Sequence, residues 1–250
     1  MIDRVLALLL CLATSIAQAK TIVIAAEDDW PPYSYGRTGS NAPQGLTPLL
    51  VREAFASQDI NTRFVTVPFS QCLKMAETGS VVGCFDVSIT ADNRSKYIWH
   101  RTPLFYEEAA IFGLVTDQSS TVTQATLHGH TVGLTQGYTY PSSFTADSDI
   151  RKITAAKDEQ LIDMLLAHQV DYILMNTLPG LMQLNKNPPA RDKVGRLGVV
   201  GVDAFWLAFS RRNPDGASMA RKFEAGLQTL HKNGRYQRIL NDFRQQLGVD

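Results

Sequence analysis

Two short segments concentrate the residue types that could hold a small charged molecule. Thr21–Tyr35 (TIVIAAEDDWPPYSY) runs from an apolar stretch into Glu27, Asp28 and Asp29, then into Trp30, Pro31 and Pro32. Ser88–Arg94 (SITADNR) sets hydroxyls ahead of a guanidinium, and Pro103-Leu104-Phe105-Tyr106 begins nine residues after the arginine. A guanidinium grips a carboxylate through paired hydrogen bonds, a carboxylate accepts from an ammonium group, and an aromatic ring covers the apolar body between them. These are the groups that hold a zwitterion or a carboxylate, and they suit binding before they suit reaction.

Reactive constellations are thin by comparison. Among His100, His128, His130, His168 and His231, only His128-Gly129-His130 pairs imidazoles closely, in a turn, and two histidines alone make a weak metal signal. No GxSxG, P-loop or GxGxxG occurs, and neither Cys72 nor Cys84 has a catalytic partner by motif. The chain reads as a non-enzyme that needs neither metal nor cofactor.

The elements that position these groups alternate between strand and helix. Thr21–Ala26 is an unbroken β-rich run, and Gly45–Ser57 carries apolar residues at helical spacing, with Thr47 as N-cap and Pro48 at N1. Thr62–Val67 follows as a strand, Ser70 caps a helix over Gln71–Thr78 that stops at Gly79, and Val81–Thr90 is a third strand. This βαβαβ order calls for a parallel sheet with right-handed crossovers. After the strand Ala109–Val115 the pattern restarts: Thr131–Leu134, a helix opening at Tyr140–Phe144, strand Ile150–Thr154, helix Asp158–His168 and the buried strand Val170–Met175. Leu197–Phe209 is a last strand, and Ala217–Leu230 and Tyr236–Leu247 are terminal helices divided at Gly234. Two successive βαβ blocks imply two lobes. Cys72 and Cys84 fall at opposite ends of a helix-to-strand turn. Six helical residues advance about 9 Å, beyond the roughly 7 Å a disulfide spans, so both read as buried thiols.

Residues 1–19 read as a cleaved secretory leader, with Arg4, the apolar run Val5–Ala13 and the small-x-small site Ala17-Gln18-Ala19. The run is too short to span a bilayer, and no later one approaches that length. The expected compartment is the periplasm. The leader takes one charge of each sign with it (Asp3, Arg4), and the chain that remains is neutral, which gives no electrostatic case for nucleic acid or anionic lipid.

Taken in order, IVIAAEDDWPPYSY, QGLTPLLVREAF, SIT…R with its Pro-Leu-Phe-Tyr turn, LHGHTVGLTQGYTY, KDEQLIDMLLAHQVDYILMN and FSRRNPDGASMARKFEAGLQTLHKNGRYQRIL resemble the periplasmic solute-binding proteins of polar amino-acid ABC transporters. The resemblance implies a two-lobed α/β fold (type II), each lobe a mostly parallel sheet flanked by helices, with two hinge crossings and the ligand in the cleft. Lobe one is expected over residues 20–112 plus 200–250 and lobe two over 113–199. It also implies a monomer that takes up a small-molecule solute, an amino acid or related carboxylate, and hands it to an inner-membrane ABC permease.

Carried over by position, the resemblance puts Glu27 near the ligand amine and Trp30 and Phe69 against its body. Ser88 and Arg94 fall at its carboxylate, and Gln136, Tyr138 and Thr139 on a helix-opening turn that meets the same carboxylate. Asn176 stands where the family usually has an aspartate for the amine. Three residues separate Thr90 from Arg94 where the family commonly has two, which leaves open whether Ser88 or Val87 faces the cleft. Without the resemblance, Arg94 reads as a surface arginine, Trp30 as loop packing and Asn176 as a cap. Some secreted members of the superfamily are cyclohexadienyl or arogenate dehydratases, for which Glu27 or Asp86 would be the general acid, and a ligand-sensing subunit of a membrane receptor would use the same fold.

Overall fold

A computed structural model describes residues 19–115 and 121–248. The expected leader, apart from its last residue, lies outside the described residues. Along the chain, β1 (Lys20–Glu27) leads to a two-stranded ribbon, β2 (Asp29–Trp30) and β3 (Ser34–Tyr35), then to α1 (Leu46–Ala56), β4 (Ile60–Val67), α2 (Phe69–Thr78), β5 (Gly83–Val87), β6 (Tyr97–Trp99) and β7 (Phe105–Leu114). After these come β8 (Thr131–Thr135), α3 (Ser142–Thr145), β9 (Arg151–Ala155), α4 (Asp158–Leu166), β10 (Tyr172–Asn176), α5 (Thr177–Lys186) and α6 (Pro188–Arg191). The chain closes with β11 (Val194–Ser210), α7 (Gly216–Lys232) and α8 (Arg235–Leu247).

The main sheet runs β4-β1-β5-β11-β7-β10-β8-β9, with β6 on β11. Its two ends are the parallel βαβ blocks read from the sequence: β1 pairs parallel with β4 and β5, and β8 pairs parallel with β9 and β10. The middle is antiparallel. β11 pairs with β7 over Val194–Phe205 and with β5 over Trp206–Phe209, so one strand belongs to both halves. The architecture is the expected two-lobed α/β fold.

Each half buries its own aromatic and aliphatic core. On the first, Phe55 of α1 packs 5.1 Å from Phe223 of α7 and 6.4 Å from Phe209 of β11, all three fully buried. Gly226 allows the two helices to meet, because a Cβ there would stand 2.1 Å from the Ala54 carbonyl oxygen. The second half packs Phe112, Leu161, Ile162 and Ile173 on one sheet face and Leu127, Val132, Phe144 and Leu174 on the other.

Several local expectations are corrected. α1 starts at Leu46 behind Gly45, which puts Thr47 and Pro48 inside the first turn; the Thr47 hydroxyl turns away from the helix end to donate to Asp86 Oδ1 at 2.7 Å. α2 starts at Phe69 behind Pro68, so Ser70 does not cap it. The helix expected from Tyr140 begins at Ser142, behind Pro141, and is four residues long. Cys72 and Cys84 form a disulfide with Cα atoms 5.5 Å apart. The helical advance from Cys72 was the wrong measure of their separation: the chain reverses at Gly79, in a left-handed C-cap, and β5 carries Cys84 back alongside the helix start. The bridge closes a loop with a sequence separation of 12. Loops of that size lose about 3 kcal/mol of unfolded-state entropy on cross-linking. A Cys72→Ala/Cys84→Ala double variant should therefore lose about that much stability in urea denaturation, and the wild type should titrate with no free thiol at these positions.

Candidate functional site

β1 and β5 end side by side, and the chain leaves β1 through the β2–β3 ribbon. These ends meet residues from the other half of the sheet in a small cavity, about 20 Å³, lined by Glu27, Trp30, Phe69, Asp86, Tyr138, Thr139, Asn176 and Phe205. Six of the residues expected from sequence are thus brought together: Glu27, Trp30, Phe69, Tyr138, Thr139 and Asn176.

Three are not. Arg94 is exposed beyond the lining; its carbonyl accepts from Trp99 Nε1 at 3.0 Å. Ser88 is buried, its hydroxyl donating 2.9 Å to the Ala204 carbonyl across to β11. Gln136 is exposed, with its backbone N–H on the Ala155 carbonyl. Nor is the Thr135–Tyr140 turn a helix start, since Pro141 delays α3 until Ser142.

Sequence reasoning missed Phe205 and gave Asp86 no part in binding. Phe205 reads as core within FWLAF. The question of whether Ser88 or Val87 faces the cleft resolves to neither. Asp86 occupies the left-handed region at φ 63°, and β5 there sets Cys84 through Val87 against only Ala208 to Trp206 of β11, one residue more than its partner. A bulge of this kind re-aims side chains: Val87 packs in the same cluster as Cys84, Phe85 in the opposite one, and Asp86 lines the cavity. The available signal was an acid inside the otherwise apolar run GCFDV.

The walls are aromatic. Trp30 is 3% exposed, held 4.7 Å from Tyr33 and 4.9 Å from Phe205, and Phe69 meets Tyr138 edge to face at 5.8 Å. The Tyr138 hydroxyl donates to Glu27 Oε1 at 2.7 Å, and Lys157 Nζ lies 3.7 Å from Asp29, so side chains from the two halves of the sheet touch over the cavity. Asn176 stands at the N-cap of α5, yet its Nδ2 donates to the Glu108 carbonyl at 3.2 Å and it does not cap the helix itself. On the far side of the same crossing, Tyr33 Oη donates to Glu107 Oε2, while Glu107 Oε1 accepts the Leu178 N–H at 2.9 Å.

The polar floor is acidic: among the described residues no lysine, arginine or histidine lines the cavity. Burial raises the proton affinity of Glu27 well above the carboxylate range, the Tyr138 hydrogen bond opposes this, and Asp86, Asp158 and Asp28 add to it. Burial likewise pushes Asp86 to about 8, against the hydrogen bond from Thr47. Asp158, at the start of α4 and hydrogen-bonded by the Thr135 hydroxyl, rises to about 6, again through burial. Such a site stabilises an entering positive charge, against which its acids can ionise.

Among solved structures, a histidine kinase sensor domain with similarity to periplasmic binding proteins matches at TM-score 0.76 and 20% identity, over 90% of this chain and 96% of that one. An arginine third transport system periplasmic binding protein from Legionella pneumophila matches at 0.73 and 18%, over 90% and 99%. An amino acid ABC transporter substrate-binding protein from Streptococcus pneumoniae, bound to L-arginine, matches at 0.72 and 16%, over 90% and 94%. These likenesses define a two-lobed binding-protein fold. Curated proteins give no significant match. The family model for bacterial extracellular solute-binding proteins, family 3, matches residues 22–246, and the chain belongs to that family.

The buried acids set a pH dependence for the unliganded protein. The stability contributed by a carboxyl whose proton affinity rises on folding is complete below its unfolded value and is lost as pH climbs to its folded value. For Asp86 the window runs from 3.8 to about 8. His100, buried and lowered from 6.5 to about 4, acts in the opposite sense, but only below 6.5. Unfolding free energy should therefore fall between pH 6.5 and 8, by up to about 1.4 kcal/mol per pH unit for each such group. Urea denaturation across that range should record the fall, and Asp86→Asn should flatten it.

Proposed function

We propose that this protein captures a small polar solute carrying an ammonium group, of the amino-acid class, in the cavity between its lobes. The observation that carries the reading is Glu27: a buried carboxylate at the mouth of β1, walled by Trp30 and Phe69, with only a tyrosine hydroxyl on it. The solute's amine meets Glu27 and its body lies against Trp30 and Phe69. Tyr138, Thr139 and Asn176 supply hydrogen bonds from the opposite side. Since Arg94 stands outside the lining, a solute carboxylate is met by the Thr139 hydroxyl and the Asn176 amide instead of a guanidinium fork. Family membership and the arginine named for two of the similar structures agree with an amine-bearing solute.

The lobes are residues 20–112 with 200–250, and 113–199, with β7 and β11 as the hinge. Closure brings Tyr138 onto Glu27 and Lys157 onto Asp29, and the closed form presents the solute to an inner-membrane ABC permease. Residues 1–19 direct the chain to the periplasm, where it works as a monomer without cofactor or catalysis.

A thermal-shift screen of the purified protein against amino acids, amines, small carboxylates and prephenate tests this. A ligand of the folded state raises the melting temperature by mass action. An amine-bearing solute should give the largest shift and change tryptophan emission through Trp30. Glu27→Gln should weaken its binding about 10- to 100-fold, as expected for losing a charge-assisted hydrogen bond. A shift with prephenate alone, followed by turnover, would replace this reading with the dehydratase one.

A further inference from the structure

Asp86 carries three costs at one position. It holds a left-handed backbone at φ 63° without being glycine, it is 4% exposed, and its Oδ2 has no hydrogen-bond partner while Oδ1 takes the Thr47 hydroxyl at 2.7 Å. A non-glycine residue held in that region is strained, and an unsatisfied buried polar atom forfeits its hydration without return. Such costs on a residue aimed into a cavity mark function more than packing, because a serine or glycine would fill the bulge at less expense. Resting on the capture reading above, we propose that Asp86 is a second anchoring carboxylate. With Glu27 it receives a cationic head group offering several N–H donors, a guanidinium or a primary ammonium, and thereby sets the solute class.

The neighbourhood favours this assignment. The ionisable groups around Asp86 are Glu27 at the end of β1 and Tyr33 from the turn after β2, with Tyr138 and Asp158 from the other half of the sheet acting on Glu27; none is a cation, and Thr47 of α1 is Asp86's single donor. A head group with one N–H would satisfy Glu27 and leave Asp86 orphaned, whereas a multi-donor cation satisfies both. An acidic solute would bring a negative charge to a lining that, among the described residues, holds no cation. Because burial pushes Asp86 to about 8, the empty site holds its proton at neutral pH. Entry of a cation leaves Asp86 ionised against it, and the displaced proton goes to the buffer. The uptake of a cation is then coupled to proton release.

Isothermal titration of the purified protein with L-arginine, agmatine, putrescine, L-glutamine and L-glutamate, at pH 7 in phosphate and in Tris, tests the assignment. At least one of the three cations should bind, with enthalpies that differ between buffers by the release of at least one proton, and its affinity should rise about tenfold or more from pH 6 to pH 7. Asp86→Asn should cut that affinity at least tenfold and reduce the proton count; the buffer comparison on the wild type stands without the variant should it fail to fold. Binding of glutamine or glutamate to the exclusion of all three cations, or cation binding with no linked proton, overturns the role of Asp86 while capture of a polar solute survives. No heat with any of the five removes both.

Discussion

The two halves of this molecule are joined along β7 and β11, and β11 changes partners between them. β11 runs 17 residues, bulging twice against β7 before it turns its hydrogen bonds to β5. Because it belongs to both ladders, the ends of β1 and β5 and the β8–α3 turn face one another at the crossing. The cavity lies at this crossing, and Phe205, where β11 passes from one partner to the other, forms part of its wall. The same crossing holds Glu107 of β7 between Tyr33 and the start of α5, so the side away from the cavity is also tied.

Within that frame the chemistry of the site follows from desolvation. Glu27 and Asp86 are buried beside aromatic walls, and among the described residues no cation lines the cavity to offset their loss of hydration. Their proton affinities rise for that reason above all. A site built this way favours what brings positive charge and hydrogen-bond donors, which a guanidinium at Arg94 would have opposed. The outward position of Arg94 and the inward position of Asp86 are two parts of one electrostatic arrangement.

The bulge in β5 connects fold to site. A strand in regular alternation would send residues 84, 86 and 88 to one face, but the left-handed turn at Asp86 puts Val87 on the side of Cys84, which is tied to α2 through Cys72. The disulfide therefore anchors the strand just before the residue that leaves its register. Thr47, drawn from the first turn of α1 to Asp86, anchors the side chain itself.

The sequence by itself determined the alternation of strands and helices, the two βαβ blocks, and the aromatic and acidic end of β1, because these rest on apolar periodicity and on local turn chemistry. Six of the nine expected site residues share one cavity because they lie at the ends of elements, or in the turn after β8, whose order was legible. Tertiary structure alone decided the rest. The Cys72–Cys84 bridge depends on how far a strand folds back past its own helix, which residue spacing does not encode. The admission of Asp86 and the turning of Ser88 to β11 follow a single extra residue in one ladder, and Gln136 is drawn outward where its backbone N–H meets the Ala155 carbonyl. A bulge is set by the pairing of two distant strands, and only their register in space fixes which side chain it turns inward.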